Sequence, residues 1–154
     1  MKTEHLLIMR FTALGEVAML VPVVSSLAQQ YPELRITVLS NPFARSLFDG
    51  IAHNVGFMAA DLNGEYHGVK GLNALYRRLV AKNFTAIADM QSILRSSYLR
   101  MRFNISSYRV EHLDNHRQDR RKLVATKDKC LRQLPSLFDD YADVLARLGY
   151  NVRL

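Results

Sequence analysis

Leu6-Leu-Ile-Met-Arg-Phe-Thr-Ala-Leu-Gly-Glu-Val-Ala-Met-Leu-Val-Pro-Val-Val24 is the stretch that decides how this chain folds. His5 to Met9 opens it with a short unbroken apolar run, the pattern of a strand buried on both faces of a sheet. Thr12-Ala13-Leu14-Gly15 then makes a turn of mostly small residues, and Glu16 to Gln30 reads as a helix. Pro22 falls inside that helical pattern, so a kink or a restart is expected there. Glu16 thereby stands just past the carboxyl end of a strand, where open parallel sheets bind their ligands. Gly15 lets the backbone come close to a ligand, and unpaired N–H groups at a helix start favour anions. A carboxylate so placed can act as general base if a bound hydroxyl comes within about 3 Å. It can equally do no more than complement the helix dipole, a contribution of up to about 1 kcal/mol.

Outward from this segment the same alternation continues. Ile36 to Leu39 reads as a second strand between a Tyr31-Pro32 break and a Ser40-Asn41-Pro42 stop, followed by a short helix from Phe43 to Phe48. Val55 to Met58 is a third strand. Asp61 to Gly71, with three glycines, His67 and Lys70, is expected as a loop, and Leu72 to Ala81 as a helix. Phe84 to Ala88 is a fourth strand ending at Asp89, Ile93 to Phe103 a helix with Arg95, Arg100 and Arg102 on its polar side, and Tyr108 to Val110 a fifth strand. This order predicts an α/β, Rossmann-like fold over residues 1–154: one mostly parallel sheet with helices on both faces. The last helix is expected to start at a Ser136 cap, to bury Leu137, Tyr141, Val144, Leu145 and Leu148, and to stop at Gly149.

With 154 residues, 49% of them hydrophobic and 23% charged, the composition excludes disorder over most of the chain. The single cysteine, Cys130, excludes an internal disulfide, and its basic neighbours Lys127, Lys129 and Arg132 do not by themselves make it a nucleophile. His5, His53, His67, His112 and His116 lack metal-site spacing, so no metal is expected. No signal-peptide pattern opens the chain, and no run approaches the roughly 20 apolar residues of a membrane span, so a cytoplasmic protein is expected. A net charge of +7 favours anionic partners, whether nucleic acid, acidic membrane or acidic sugars.

The succession of apolar strand, Arg10, small turn, Gly15, Glu16, Val17 and Val21-Pro22 resembles the N-terminal signature of the bacterial heptosyltransferases of glycosyltransferase family nine, which have the GT-B fold. Further segments are similar in order and spacing: Arg35-Ile-Thr-Val-Leu39 with its Asn-Pro stop, His67-Gly-Val-Lys-Gly71, Ala86-Ile-Ala-Asp-Met-Gln-Ser-Ile-Leu-Arg95, and Asp140-Tyr-Ala-Asp-Val-Leu-Ala-Arg-Leu-Gly149. The resemblance implies the acceptor-binding half of an enzyme that moves heptose from ADP-heptose to a Kdo/lipid A inner core in lipopolysaccharide biosynthesis. It implies Glu16 as the base, and Arg10, Thr12, Ala13, Gly15, Lys70 and Arg95 around an anionic lipid-linked acceptor. Neither metal nor cofactor is implied beyond the donor sugar nucleotide. The family's base is usually Asp, so Glu16 carries its carboxylate about one C–C bond, roughly 1.5 Å, further out.

Family enzymes have a second, donor-binding domain, and this chain stops at Arg153-Leu154, about where the linker to it would begin. That domain is therefore expected to be missing here, and the chain alone to be inactive. The run His116-Arg-Gln-Asp-Arg-Arg-Lys122, with Lys127 and Lys129, suits either transient contact with the anionic inner leaflet of the inner membrane or a plain solvated face. Two other classes stay open at this point. A nucleic-acid binder is suggested by charge with Tyr108, His112 and His116, without a recognisable binding motif. A dinucleotide-binding enzyme would need three glycines where the first turn has one.

Overall fold

The computed structural model describes residues 4–105, 108–113 and 129–153. Five strands form one all-parallel sheet in the order β3-β2-β1-β4-β5: β1 His5–Met9, β2 Arg35–Ser40, β3 Val55–Ala59, β4 Ala86–Asp89 and β5 Arg109–His112. The Rossmann-like expectation is thus met. The chain builds outward from β1 through β2 to β3, then returns to the other side of β1 for β4 and β5. The sequence of strands reverses direction between β1 and β4, which makes their carboxyl ends the topological switch point.

The helices are α1 Leu14–Ala18, α2 Leu20–Gln30, α3 Arg45–Phe48 (after a 3-10 turn at Pro42–Ala44), α4 Gly68–Val80, α5 Leu94–Ile105 and α6 Lys129–Arg147. β1 is buried at all five positions. Side chains alternate across a strand, so the sheet has two cores. Leu6, Ile8, Ile36, Val38, Ala86 and Ala88 pack with α1, α2, α3 and α6 on one face. Leu7, Met9, Leu39, Met58 and Ile87 pack with α4 and α5 on the other. This two-sided burial is why the first strand is an unbroken apolar run.

Several boundaries differ from expectation by one or two residues, and three differences bear on packing. The helix after β1 restarts at Leu20, not at Pro22: Met19 separates α1 from α2, and Pro22 sits in the first turn of α2, where a missing N–H costs nothing. Helix α4 begins at Gly68, so Lys70 lies in its first turn and not in a loop. The local glycines misled because they serve packing. A Cβ on Gly71 would fall 2.2 Å from the Tyr66 carbonyl carbon, so only glycine lets the helix lie against that backbone. Helix α6 begins at Lys129 and runs through Pro135, which leaves Ser136 inside the helix and not at its cap. Its far half is anchored by the expected stripe of Tyr141, Val144, Leu145 and Leu148. Gly149, at φ 101°, ends it with Tyr150 N–H donating to Leu145 O and Gly149 N–H to Ala146 O, the paired bonds of a Schellman cap. The expectations for residues 116–122 and Lys127, and for the side chains of Lys129 and Cys130, lie outside what is described.

His5 enters β1 with its ring 4.3 Å from that of Phe84. Its Nε2 lies 2.7 Å from Thr37 Oγ1 and its Nδ1 3.2 Å from Lys82 O. Since a carbonyl only accepts, Nδ1 carries the proton and Nε2 accepts from Thr37. Burial holds its pKa below the ordinary value of about 6.5; the Lys82 carbonyl opposes this, and the Arg35 and Lys82 charges add to it.

Two predictions follow from this packing. A lowered folded pKa means that the unfolded chain binds more protons, so the contribution of His5 to stability is full above pH about 6.5 and is lost as pH falls through the lower folded value. Denaturation midpoints should therefore drop between pH 7.5 and 5.5, and His5→Gln should flatten that dependence. Gly71→Ala should cost about 1–3 kcal/mol through overpacking, whereas Gly15→Ala, whose Cβ meets nothing within 4 Å, should leave the unfolding free energy nearly unchanged.

Candidate functional site

The carboxyl ends of β1 and β4 send two short turns toward each other. Arg10, directly behind β1, is 6% exposed. Its Nε donates to Thr12 O at 2.9 Å, its Nη1 to Met90 O at 2.6 Å, and its Nη2 pairs with Glu16 Oε2. Arg10, expected among the acceptor contacts, is thus turned inward, and its fork spans both turns while holding the carboxylate.

Glu16 is the third residue of α1, with a side chain 46% exposed. Its backbone carbonyl accepts a 2.9 Å hydrogen bond from the Tyr141 hydroxyl of α6. Burial pushes the Tyr141 pKa far above the ordinary tyrosine range; the Glu16 and Asp140 charges add to this and the Arg10 charge opposes it. That hydroxyl therefore stays a donor. Glu16 is fixed at its backbone by one helix and at its carboxylate by the strand end, yet remains open to solvent. The expected anion attraction of the helix start is small, because α1 has only five residues and little macrodipole. Gly15 is exposed with open space above it, so a ligand can approach the backbone there.

The β4 turn is shaped by Asp89, a fully buried carboxylate. Its Oδ1 accepts from the N–H groups of Gln91 (3.1 Å) and Ser92 (2.9 Å), and Arg100 reaches its Oδ2 at 3.3 Å. Ser92 takes φ 56°, and its hydroxyl donates to Leu113 O at 2.7 Å. Gln91, which the sequence reading passed over, reaches back to the β1 turn. Its Oε1 accepts from Phe11 N–H (2.7 Å) and Thr12 N–H (3.3 Å), and its Nε2 lies 2.6 Å from Thr12 Oγ1. The available signal was its position two residues past a strand end.

Arg10, Thr12, Ala13, Gly15 and Glu16 therefore share one turn. Arg95, in the first turn of α5, faces the β3–α4 loop: its Nη1 donates to Leu62 O (3.1 Å) and Asn63 Oδ1 (2.9 Å), and its Nε and Nη2 have no partner among the described residues. Lys70 is exposed and unpaired among the described residues. It sits in the first turn of α4, beyond the loop that follows β3. A groove of about 550 Å³ lined by His5, Arg35, Thr37, His53 and Gly56 lies at the opposite edge. It is remote from this chemistry, and parallel sheets place their ligands at the carboxyl ends. Among the described residues no helix is long and apolar enough to cross a membrane.

No protein-family model matches the chain, and no curated protein sequence matches it. Solved structures do. A glycosyl transferase of family 9 from Veillonella parvula superimposes with a TM-score of 0.68 at 19% identity, over 98% of this chain and 43% of that one. The E. coli heptosyltransferase WaaC with ADP gives 0.63 at 17% identity, over 97% of this chain and 49% of that one. WaaC with ADP-2-deoxy-2-fluoro heptose gives 0.61 at 16%, over 97% and 50%. The fold is the one these glycosyltransferases contain, and the chain spans half their length or slightly less.

A single ammonium cannot reach Thr12 O, Met90 O and Glu16 together as the Arg10 fork does. Arg10→Lys is therefore expected to lower stability by about 1–2 kcal/mol, read as a lower urea midpoint at unchanged m-value.

Proposed function

We propose that this chain is the acceptor-binding half of a heptosyltransferase-like glycosyltransferase, with Glu16 as the base that activates the acceptor hydroxyl. The observation that carries this reading is the placement of Glu16: a half-exposed carboxylate at the switch point, braced by Tyr141 from behind and by Arg10 from the side. With Oε2 engaged by Arg10, the other oxygen is left to take a proton. The acceptor oxygen attacks the anomeric carbon of the donor sugar as the bond from that carbon to the nucleoside diphosphate breaks. Its proton passes to Glu16. Arg10 holds the carboxylate aimed, a preorganisation that need not be rebuilt during reaction.

The acceptor in this reading is an anionic lipid-linked sugar of the Kdo-lipid A type, with ADP-heptose as donor. Arg95, through its unengaged nitrogens, and Lys70 meet the carboxylate and phosphate oxygens. Gly15 and Ala13 leave room for the sugar. Such an acceptor requires transient work at the inner leaflet of the inner membrane from the cytoplasmic side. In this reading these residues supply the acceptor side of the site, and the donor is held by a second domain.

The test is binding of Kdo-lipid A in detergent micelles by the full chain. Saturable binding is expected, weakened at least about fivefold by Lys70→Glu through loss of one charged contact, and no saturable binding would overturn the reading. Glu16→Gln should leave that affinity nearly unchanged while abolishing transfer once the donor-binding half is supplied. Unchanged turnover would remove Glu16 from the role of base.

A further inference from the structure

We infer that Thr12 presents its hydroxyl proton to the ligand, and that Gln91 is the positioning residue that imposes this polarity. Two backbone N–H groups, of Phe11 and Thr12, converge on one atom of the Gln91 carboxamide at 2.7 and 3.3 Å. Donors can meet only an acceptor, so that atom is the oxygen. Rotating the amide would set its NH₂ against two N–H groups, with Gln91 only 8% exposed and unable to turn to water. The other end is therefore NH₂, and it lies 2.6 Å from Thr12 Oγ1. An amide nitrogen only donates, so the Thr12 hydroxyl accepts.

A hydroxyl has one proton. Having received a hydrogen bond from Gln91, Thr12 must send its own proton elsewhere, and no described residue accepts it. Thr12 is exposed, in the same turn as Glu16. The turn thus offers an entering ligand two groups of opposite polarity: Glu16, which accepts, and Thr12, which donates. The Thr12 proton selects a ligand oxygen that accepts, such as a carboxylate, phosphate, ring or hydroxyl oxygen of a sugar acid, and gives nothing to an ammonium or amide N–H. This deepens the acceptor-binding reading above and rests on it for the identity of the ligand.

The polarity argument makes an unusual demand on Gln91→Glu. A carboxylate there still accepts from both N–H groups, but it also accepts from Thr12, whose proton then turns inward. With Kdo-lipid A as the probe, Thr12→Val is expected to weaken binding by Thr12 about two- to tenfold, the worth of one neutral hydrogen bond, and Thr12→Ser to stay near the parent. Gln91→Glu is expected to weaken binding as well, and adding Thr12→Val to it to bring no further loss. Losses that multiply in the double variant, or a Thr12→Val that binds like the parent, overturn the inference.

A second reading needs no ligand. In amide-resolved NMR of the full chain, Thr12→Val should move one Gln91 carboxamide proton upfield and leave the Phe11 N–H protected from exchange. Unmoved Gln91 protons overturn the assigned polarity. If the parent chain binds no Kdo-lipid A while these protons do move, the acceptor reading fails and the polarity stands.

Discussion

A guanidinium set directly behind a strand that is buried on both faces must find oxygen atoms, because burying an unanswered charge is far costlier than any single contact is favourable. Arg10 is that group, and its fork reaches the carbonyls of Thr12 and Met90 and the carboxylate of Glu16. Met90 follows β4 and Glu16 lies on α1, so meeting one buried charge draws the two turns of the switch point together. The orientation of Glu16 is in this sense a by-product of satisfying Arg10. The exposed side of the pair contributes little to stability, as solvent-screened ion pairs do, and its value lies in aim.

Most of the fold is legible from the chain's periodicity. The apolar run of β1, the proline breaks around β2 and the stripe on α6 each state a local preference that the tertiary structure keeps. Two of the errors share a cause: Gly71 and Pro22 were read as punctuation. Gly71 is there for a close approach to Tyr66, visible only once a loop and a helix are side by side. Pro22 is harmless because the helix restarts two residues before it. Local signals of chain termination cannot be told from packing requirements without the partner surface.

The candidate site divides the same way. Glu16 could be found because it follows a strand and a glycine. That Arg10 faces inward could not, since it depends on a carbonyl eighty residues away. Gln91 left still less trace, because a lone amide has no spacing rule and acquires its meaning only from the two N–H groups it meets. The β4 turn also depends on Asp89, a fully buried carboxylate whose oxygens are divided between two backbone N–H groups and Arg100. The residues nearest the chemistry are held by residues that sequence patterns do not mark.

The bond from Tyr141 to Glu16 joins positions 125 residues apart. During synthesis at about 5–20 residues per second, Glu16 leaves the ribosome roughly 6–25 s before Tyr141 does. Once His112 has been made the sheet has all five of its strands, but the turn that carries the carboxylate still lacks its brace. A nascent chain that stops between His112 and Tyr141 therefore holds the five strands without that brace, and a helix made more than a hundred residues later completes the first turn.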